Sequence, residues 1–308
     1  MTKLAIMLCV KNGSEFLRDQ LDSIENQTWK NFDIYIKDNF SNDGSSKVIH
    51  DFKNKNPYIN VINCKGDDDH FANSYIKLAK ELVGRYDYYA FCDQDDIWLK
   101  NHLVRGVNYI NSYNENLASL FCSRTTLIDK NGNKIGNSIF FKKKPSFKNA
   151  LVQSIAGANT MIFNNKAAEL LNEIKTERNI ISHDWLLYQL VSGSNGNIKY
   201  SKNSSVLYRQ HSNNLIGSNL GFKNKINRLK LLLSGEINKY NQSSLMHLSD
   251  FRSLSEKNSH ILNNFEKSLF GNFFKRFFYI LKSGIYRQTI AGQFMLIINL
   301  LLKNNYHK

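Results

Sequence analysis

Residues Leu4–Val10 read Leu-Ala-Ile-Met-Leu-Cys-Val, seven apolar positions without a break, and end at once in Lys11-Asn12-Gly13. So short an apolar run, closed by a turn, reads as a strand buried in a parallel sheet, where helices on both faces hide every side chain. The run is too short for a secretory leader and lacks a small-residue cleavage site, so the chain is expected to stay in the reducing cytoplasm. Its cysteines fit that expectation. Cys9, Cys64, Cys92 and Cys122 are isolated, three of them lie inside apolar runs, and they form neither a CxxC pair nor a disulfide framework.

The pattern continues along the chain. Residues 14–26 have helical spacing, with Ser14 placed as the cap and Phe16, Leu17, Leu21 and Ile24 along one face. A strand over 32–37 enters the polar turn Asp38-Asn39-Phe40-Ser41-Asn42-Asp43-Gly44-Ser45. A helix over 47–53, a strand over 60–63, a helix over 71–82 and a strand over 86–92 follow, the last opening onto Asp93-Gln94-Asp95-Asp96. Strand and helix in alternation predict an α/β domain with a mostly parallel central sheet. Ligands of such sheets bind beyond the carboxyl ends of the strands, where both acidic turns fall. Residues 116–165 alternate apolar runs with Gly and Asn turns, as further strands do; 165–175 and 183–192 have helical spacing, and 206–208 reads as a strand.

After about residue 220 the sequence turns to helical stretches rich in Leu, Phe and Lys, which predicts two parts: an α/β domain over 1–220 and a basic, amphipathic helical region over 221–308. At 308 residues and 42% hydrophobic content the chain can bury one large core or two smaller ones, and it shows no repeat. Residues 221–308 hold fourteen Lys and Arg against Glu236, Asp250, Glu256 and Glu266, a net of +10 out of the whole chain's +15. Such asymmetry points to an anionic surface, nucleic acid or acidic lipid. Over 270–302 the longest apolar run, 294–298, is broken by Asn299, well short of the roughly 20 residues that span a bilayer. Lys275, Arg276, Lys282 and Arg287 alternate with Phe273, Phe274, Phe277, Phe278 and Ile280, which suits lying on an anionic membrane. The plain alternative is that lysines solubilise helices packed on the first domain.

Carboxylates at i and i+2 after a buried strand can converge on one hard cation, and oxygen ligands suit Mg²⁺ or Mn²⁺. An ion held by one or two protein carboxylates keeps positions open for a diphosphate and stabilises charge on a departing nucleotide. The competing reading of 93–96, that Asp95 or Asp96 caps a helix from Ile97, does not require three carboxylates.

The segment Phe91-Cys92-Asp93-Gln94-Asp95-Asp96-Ile97-Trp98-Leu99 resembles the metal-binding motif of family 2 glycosyltransferases with the GT-A fold, and within them bacterial rhamnosyltransferase-type members. The resemblance extends over residues 4 to about 217. It takes in Val10-Lys11-Asn12-Gly13, Asn26-Gln27-Thr28-Trp29, the turn over 37–45, the acidic motif, Ser182-His183-Asp184-Trp185 and Tyr208-Arg209-Gln210-His211, in the family's order. It implies an inverting, metal-dependent transfer from a nucleoside diphosphate sugar to a saccharide or lipid-linked oligosaccharide acceptor. The setting implied is bacterial surface polysaccharide synthesis at the inner face of the cell membrane. dTDP-L-rhamnose is the donor it suggests, with a UDP-hexose or UDP-N-acetylhexosamine as the alternative.

The resemblance assigns Val10, Asn12, Asp38, Asp93 and Arg209 to donor binding: Asp38 to the pyrimidine base, Asp93 to the ribose or sugar, Arg209 to phosphate through charge-assisted hydrogen bonds. Asp95 would be the main ligand of Mn²⁺ or Mg²⁺, with His211 completing the shell or touching the diphosphate, and Asp96 a less defined neighbour. Asp184 corresponds to the catalytic base, which takes the proton of the attacking acceptor hydroxyl. Against these stand simpler roles: an Asx turn for Asp38 and a helix-dipole partner for Asp184. Trp185 is expected to pack. Asp67-Asp68-Asp69 departs from the family's pattern and reads as a solvated loop.

Other classes fit less well. A sugar-phosphate nucleotidyltransferase would need a Gly-rich loop after the first strand, where only Gly13 stands. Nucleic acid is not expected as a partner, since no recognition motif accompanies the charge and acids cluster where phosphates would lie. A non-catalytic nucleotide-binding relative would have no need of Asp38, Asp95 and Asp184 together.

Overall fold

The computed structural model describes residues 3–66, 70–175, 180–211 and 236–302. Its central sheet has seven strands, in the order β10 (Asn197–Ser201), β6 (Ser119–Ser123), β9 (Ile162–Asn164), β4 (Tyr88–Cys92), β1 (Leu4–Val10), β2 (Phe32–Asp38) and β3 (Asn60–Cys64). All pairings are parallel except those of β9, which runs against β4 and β6. A second sheet orders β5 (Ile97–Trp98), β11 (Val206–Arg209), β7 (Thr126–Ile128) and β8 (Lys134–Asn137).

The unbroken apolar run of β1 is explained by two cores. Ala5 and Met7 face one, built with α3 (Phe71–Leu82), α5 (Phe147–Ala150), α6 (Asn165–Leu171) and α7 (His183–Gly193). Leu4, Ile6, Leu8 and Val10 face the other, with α1 (Leu17–Glu25), α2 (Ser45–Lys55) and α4 (His102–Asn111). Alternation of the pleat sends successive side chains to opposite faces, so a strand at the centre of the sheet must be apolar throughout. Val10 pairs in register with Asp38, and Leu8 with Cys92, which brings the turns after β1, β2 and β4 to one edge.

Two local expectations give way. Ser14 does not cap α1, which begins at Leu17; its N–H donates to Asp43 Oδ2 at 2.9 Å and is spent on joining two turns. Nor does a helix start at Ile97. Trp98 pairs with Val206, and the Leu99 N–H donates to Ser205 O at 2.9 Å, so residues 97–98 form β5 and the helix waits until His102. Asp95 and Asp96 therefore cap nothing there.

Among the described residues four further helices follow: α8 (Glu236–Leu248), α9 (Glu256–Leu269), α10 (Phe273–Ser283) and α11 (Ile290–Leu302). Leu248, Phe265, Leu269, Ile280 and Leu300 belong to the same core as α3 and α7. The Asn258 carboxamide donates to the carbonyls of Ser192 and Gly193, tying α9 to the end of α7. The boundary expected near residue 220 and the Asp67-Asp68-Asp69 loop lie outside the described residues. Among those residues no helix is long and apolar enough to cross a membrane.

Candidate active site

The turns after β1 and β2 are laced together. Asn12, in the left-handed region at φ 49°, accepts from the Asn42 N–H at 3.0 Å while its own N–H donates to Ser41 Oγ at 2.9 Å. Lys11 Nζ donates to Asn39 O at 2.6 Å and Phe40 O at 3.1 Å, and the buried Val10 carbonyl accepts from the Asn39 N–H. Burial works against ionisation of Asp43, but donors from Ser45 and Ser14 outweigh it and hold the carboxyl well below the usual range. Asp38 accepts from the Ser41 N–H and the Ser46 hydroxyl, both at 2.9 Å, so it does make the turn bond. Beside it Gly66 comes so close that a Cβ would lie 2.1 Å from Asp38 O, an approach open only to glycine.

The acidic loop is fastened to the same turns by Gln94, whose carboxamide accepts from the Lys11 N–H at 2.9 Å and donates to Lys11 O at 3.1 Å. Asp96 is buried and accepts from the Asn159 side chain and from the Arg209 N–H. Burial, then the charges of Asp95 and Asp93, push its carboxyl up. Asp93 rises to about 8, through burial first and then the neighbouring charges of Asp95 and Asp184. Asp95 Oδ2 stands 2.8 Å from His211 Nε2, and the imidazole is braced 5.0 Å from the Phe16 ring.

Arg209, which the resemblance assigned to phosphate, has its guanidinium engaged by protein partners. Its side chain is 2% exposed, with the guanidinium 4.6 Å from the Phe16 ring centroid. It donates to Asp95 O at 3.0 Å, to Lys130 O at 2.8 Å and to Asp19 Oδ2 at 2.7 Å. These bonds hold the acidic loop against α1 and the small sheet.

Asp184 lies in the first turn of α7 and accepts from the Ser182 hydroxyl and the Trp185 N–H. Burial raises its pKa, with those hydrogen bonds opposing. The preceding His183 is a poor proton acceptor. It is stacked on Tyr75 at 4.3 Å, burial pushes its pKa down to about 3, and neither ring nitrogen has a hydrogen-bond partner among the described residues. Trp185 donates through Nε1 to Ala150 O and stacks on Tyr240 of α8 at 5.2 Å.

The structure thus gathers Asp93, Asp95, Asp96, Asp184 and His211, and groups Val10, Asn12 and Asp38 in the adjoining turns. Among the described residues no three His, Cys, Asp or Glu side chains converge as a complete metal shell. The Asp95–His211 pair offers one oxygen and one nitrogen donor, at present bonded to each other; the carboxylate is of the kind that suits Mn²⁺ or Mg²⁺. Gln94, Asn159 and Asp19 were not singled out by sequence. Gln94 stood inside the motif, where an uncharged residue between acids was a signal, but nothing local marked the other two.

Residues 5–171, more than half of the chain, match the family described as Glycosyl transferase family 2. The chain is 29% identical over 231 residues to the dTDP-rhamnosyl transferase RfbG of Shigella flexneri, covering 72% of this chain and 77% of that protein. It is 21% identical to the putative teichuronic acid biosynthesis glycosyltransferase TuaG of Bacillus subtilis, covering 68% and 79%. S. aureus TarS 1-349 in complex with UDP-GlcNAc superposes with a TM-score of 0.52 at 14% identity, covering 92% and 93% of the two chains. The mannosyltransferase PcManGT from Pyrobaculum calidifontis, in complex with GDP-Man and Mn²⁺, gives 0.52 at 10% identity, covering 97% and 85%.

Proposed function

The chain belongs to glycosyl transferase family 2 and is an enzyme of that family with a GT-A fold, and on that footing we propose that it is an inverting, metal-dependent transferase acting on a nucleoside diphosphate sugar. The carrying observation is that the turns after β1, β2 and β4 meet at one edge of the sheet and bring Asp38, Asp93 and the Asp95–His211 pair there, with Asp184 at the head of α7. A divalent cation bound by Asp95 and His211 would stabilise charge on the departing diphosphate. Asp184 takes the proton from the acceptor oxygen. Val10, Asn12 and Asp38 hold the nucleoside, and Asp93 the ribose or sugar. Arg209 is a positioning residue, keeping Asp95 and His211 at their separation.

The likeness to a dTDP-rhamnosyl transferase favours dTDP-rhamnose as donor, with a UDP-hexose or UDP-N-acetylhexosamine next. The acceptor is a saccharide or lipid-linked oligosaccharide of a surface polysaccharide, taken beside Asp184 where Trp185 and Tyr240 stack. We read 1–220 as the catalytic domain and 221–308 as an accessory helical region, in a cytoplasmic protein held peripherally at the inner membrane face. The +10 charge of that region supports the placement.

A thermal-shift screen of dTDP-rhamnose, UDP-glucose, UDP-N-acetylglucosamine and GDP-mannose, with and without Mn²⁺, tests the donor reading, because a ligand of the folded state alone raises stability. Selective, Mn²⁺-dependent stabilisation by one donor is expected. No response to any of them would sink the reading.

A pH profile tests the base. Asp184 must be ionised to accept a proton and its pKa is raised by burial. The acid limb of transfer is therefore expected above the ordinary carboxylate range near 3.9, activity rising with pH as the group ionises. Activity that stays flat down to that range, with donor saturating, would leave Asp184 without the role.

A further inference from the structure

Helix α10 carries its apolar side outward. Phe273, Phe274, Phe277, Phe278 and Leu281 are all exposed, Phe274 at 80%, whereas its buried positions are Arg276, Ile280 and Ser283. An amphipathic helix on a water-facing surface has the opposite arrangement. The buried arginine explains how the helix is held this way round. Arg276 donates to Leu269 O at the end of α9, at 3.2 Å, and to Leu300 O near the end of α11, at 3.4 Å, so two helix carboxyl ends are closed by one guanidinium. Among the described residues, these phenylalanines belong to neither buried core. At the start of α11, Ile290 and Phe294 are exposed as well, Ile290 at 87%.

Exposed apolar surface of this extent marks an interaction site. Its charge identifies the occupant. Lys275 is exposed on α10 and Lys282 Nζ lies 5.8 Å from the Phe278 ring centroid, while Lys267 Nζ lies 5.7 Å from that of Tyr279. The surrounding region carries a net +10, so a second copy of the chain would bring like charge against like. An anionic bilayer offers the complement to both features, apolar below and negative above.

We propose that the α10 face lies in the plane of an anionic membrane, its phenylalanine rings at the acyl boundary and Lys275 and Lys282 among the headgroups. The assignment rests on the membrane placement proposed above and not on the transfer reaction. Full-length protein is sedimented with vesicles of phosphatidylcholine alone or with phosphatidylglycerol added, alongside the double variant Phe274→Ser, Phe278→Ser. Both substituted rings are exposed, so the variant should fold. Wild type is expected on the anionic vesicles and not the neutral ones, with partitioning at least about tenfold weaker in the variant. Equal partitioning of the two proteins overturns the proposal. So does self-association or RNA binding that the same substitutions abolish without any vesicle binding in the wild type. Donor-dependent thermal stabilisation, measured on the same samples, should be the same in both proteins, and its absence would count against the transferase reading instead.

Discussion

Asp184→Asn is expected to lower sugar transfer by about 10²–10⁴-fold, the contribution of a positioned general base, while leaving donor binding intact. Asparagine keeps the shape of aspartate, and its Oδ1 can still accept from Ser182 and the Trp185 N–H as the carboxylate does. What it cannot do is hold a proton taken from the acceptor. The substitution should also leave the fold at least as stable near neutral pH. A carboxyl whose folded pKa is raised favours folding while protonated, and that stability is lost as pH rises through the folded value; the amide has no such loss. Transfer assays, calorimetry with the donor and urea unfolding across pH separate the three statements. Near-normal turnover would remove Asp184 from the mechanism.

Arg209→Ala is expected to act mainly on stability, by about 2–4 kcal/mol. The buried guanidinium satisfies the carbonyls of Asp95 and Lys130 and fills the space against Phe16. Truncation leaves those carbonyls without their donor and opens a void. Asp19 suffers less, since it is about half exposed and can return to water. Urea unfolding measures the loss, and weaker binding of Mn²⁺ should accompany it as the Asp95 loop loosens. If Arg209 instead contacts the diphosphate, the variant would unfold like the wild type and show only a raised donor KM.

These two residues mark what could be read from sequence. Strands β1, β2 and β4 were legible because burial on both faces demands continuous apolar runs, and α3 was legible to the residue because its apolar spacing is uninterrupted. Asp184 was reached by resemblance, as were Asp95 and His211, which meet across 116 positions. The orientation of Arg209 was not legible. An arginine beside a histidine looks the same in sequence whether it points to solvent or into the protein, and its partners Asp19 and Lys130 come from distant segments. The two-residue β5 was missed for a related reason, since its pairing partner lies more than a hundred residues away. Ser14 had a cap's chemistry, but α1 starts three residues later, at Leu17, with Phe16 in the cap position.

Gln94 bonds both ways to the Lys11 main chain much as a neighbouring strand would. A side-chain amide imitating a peptide unit makes the loop that bears the carboxylates and the turn after β1 move as one body. On the proposed donor reading, recognition of the base and grip on the diphosphate become a single mechanical event, so a donor with the wrong nucleoside would misplace its phosphates as well.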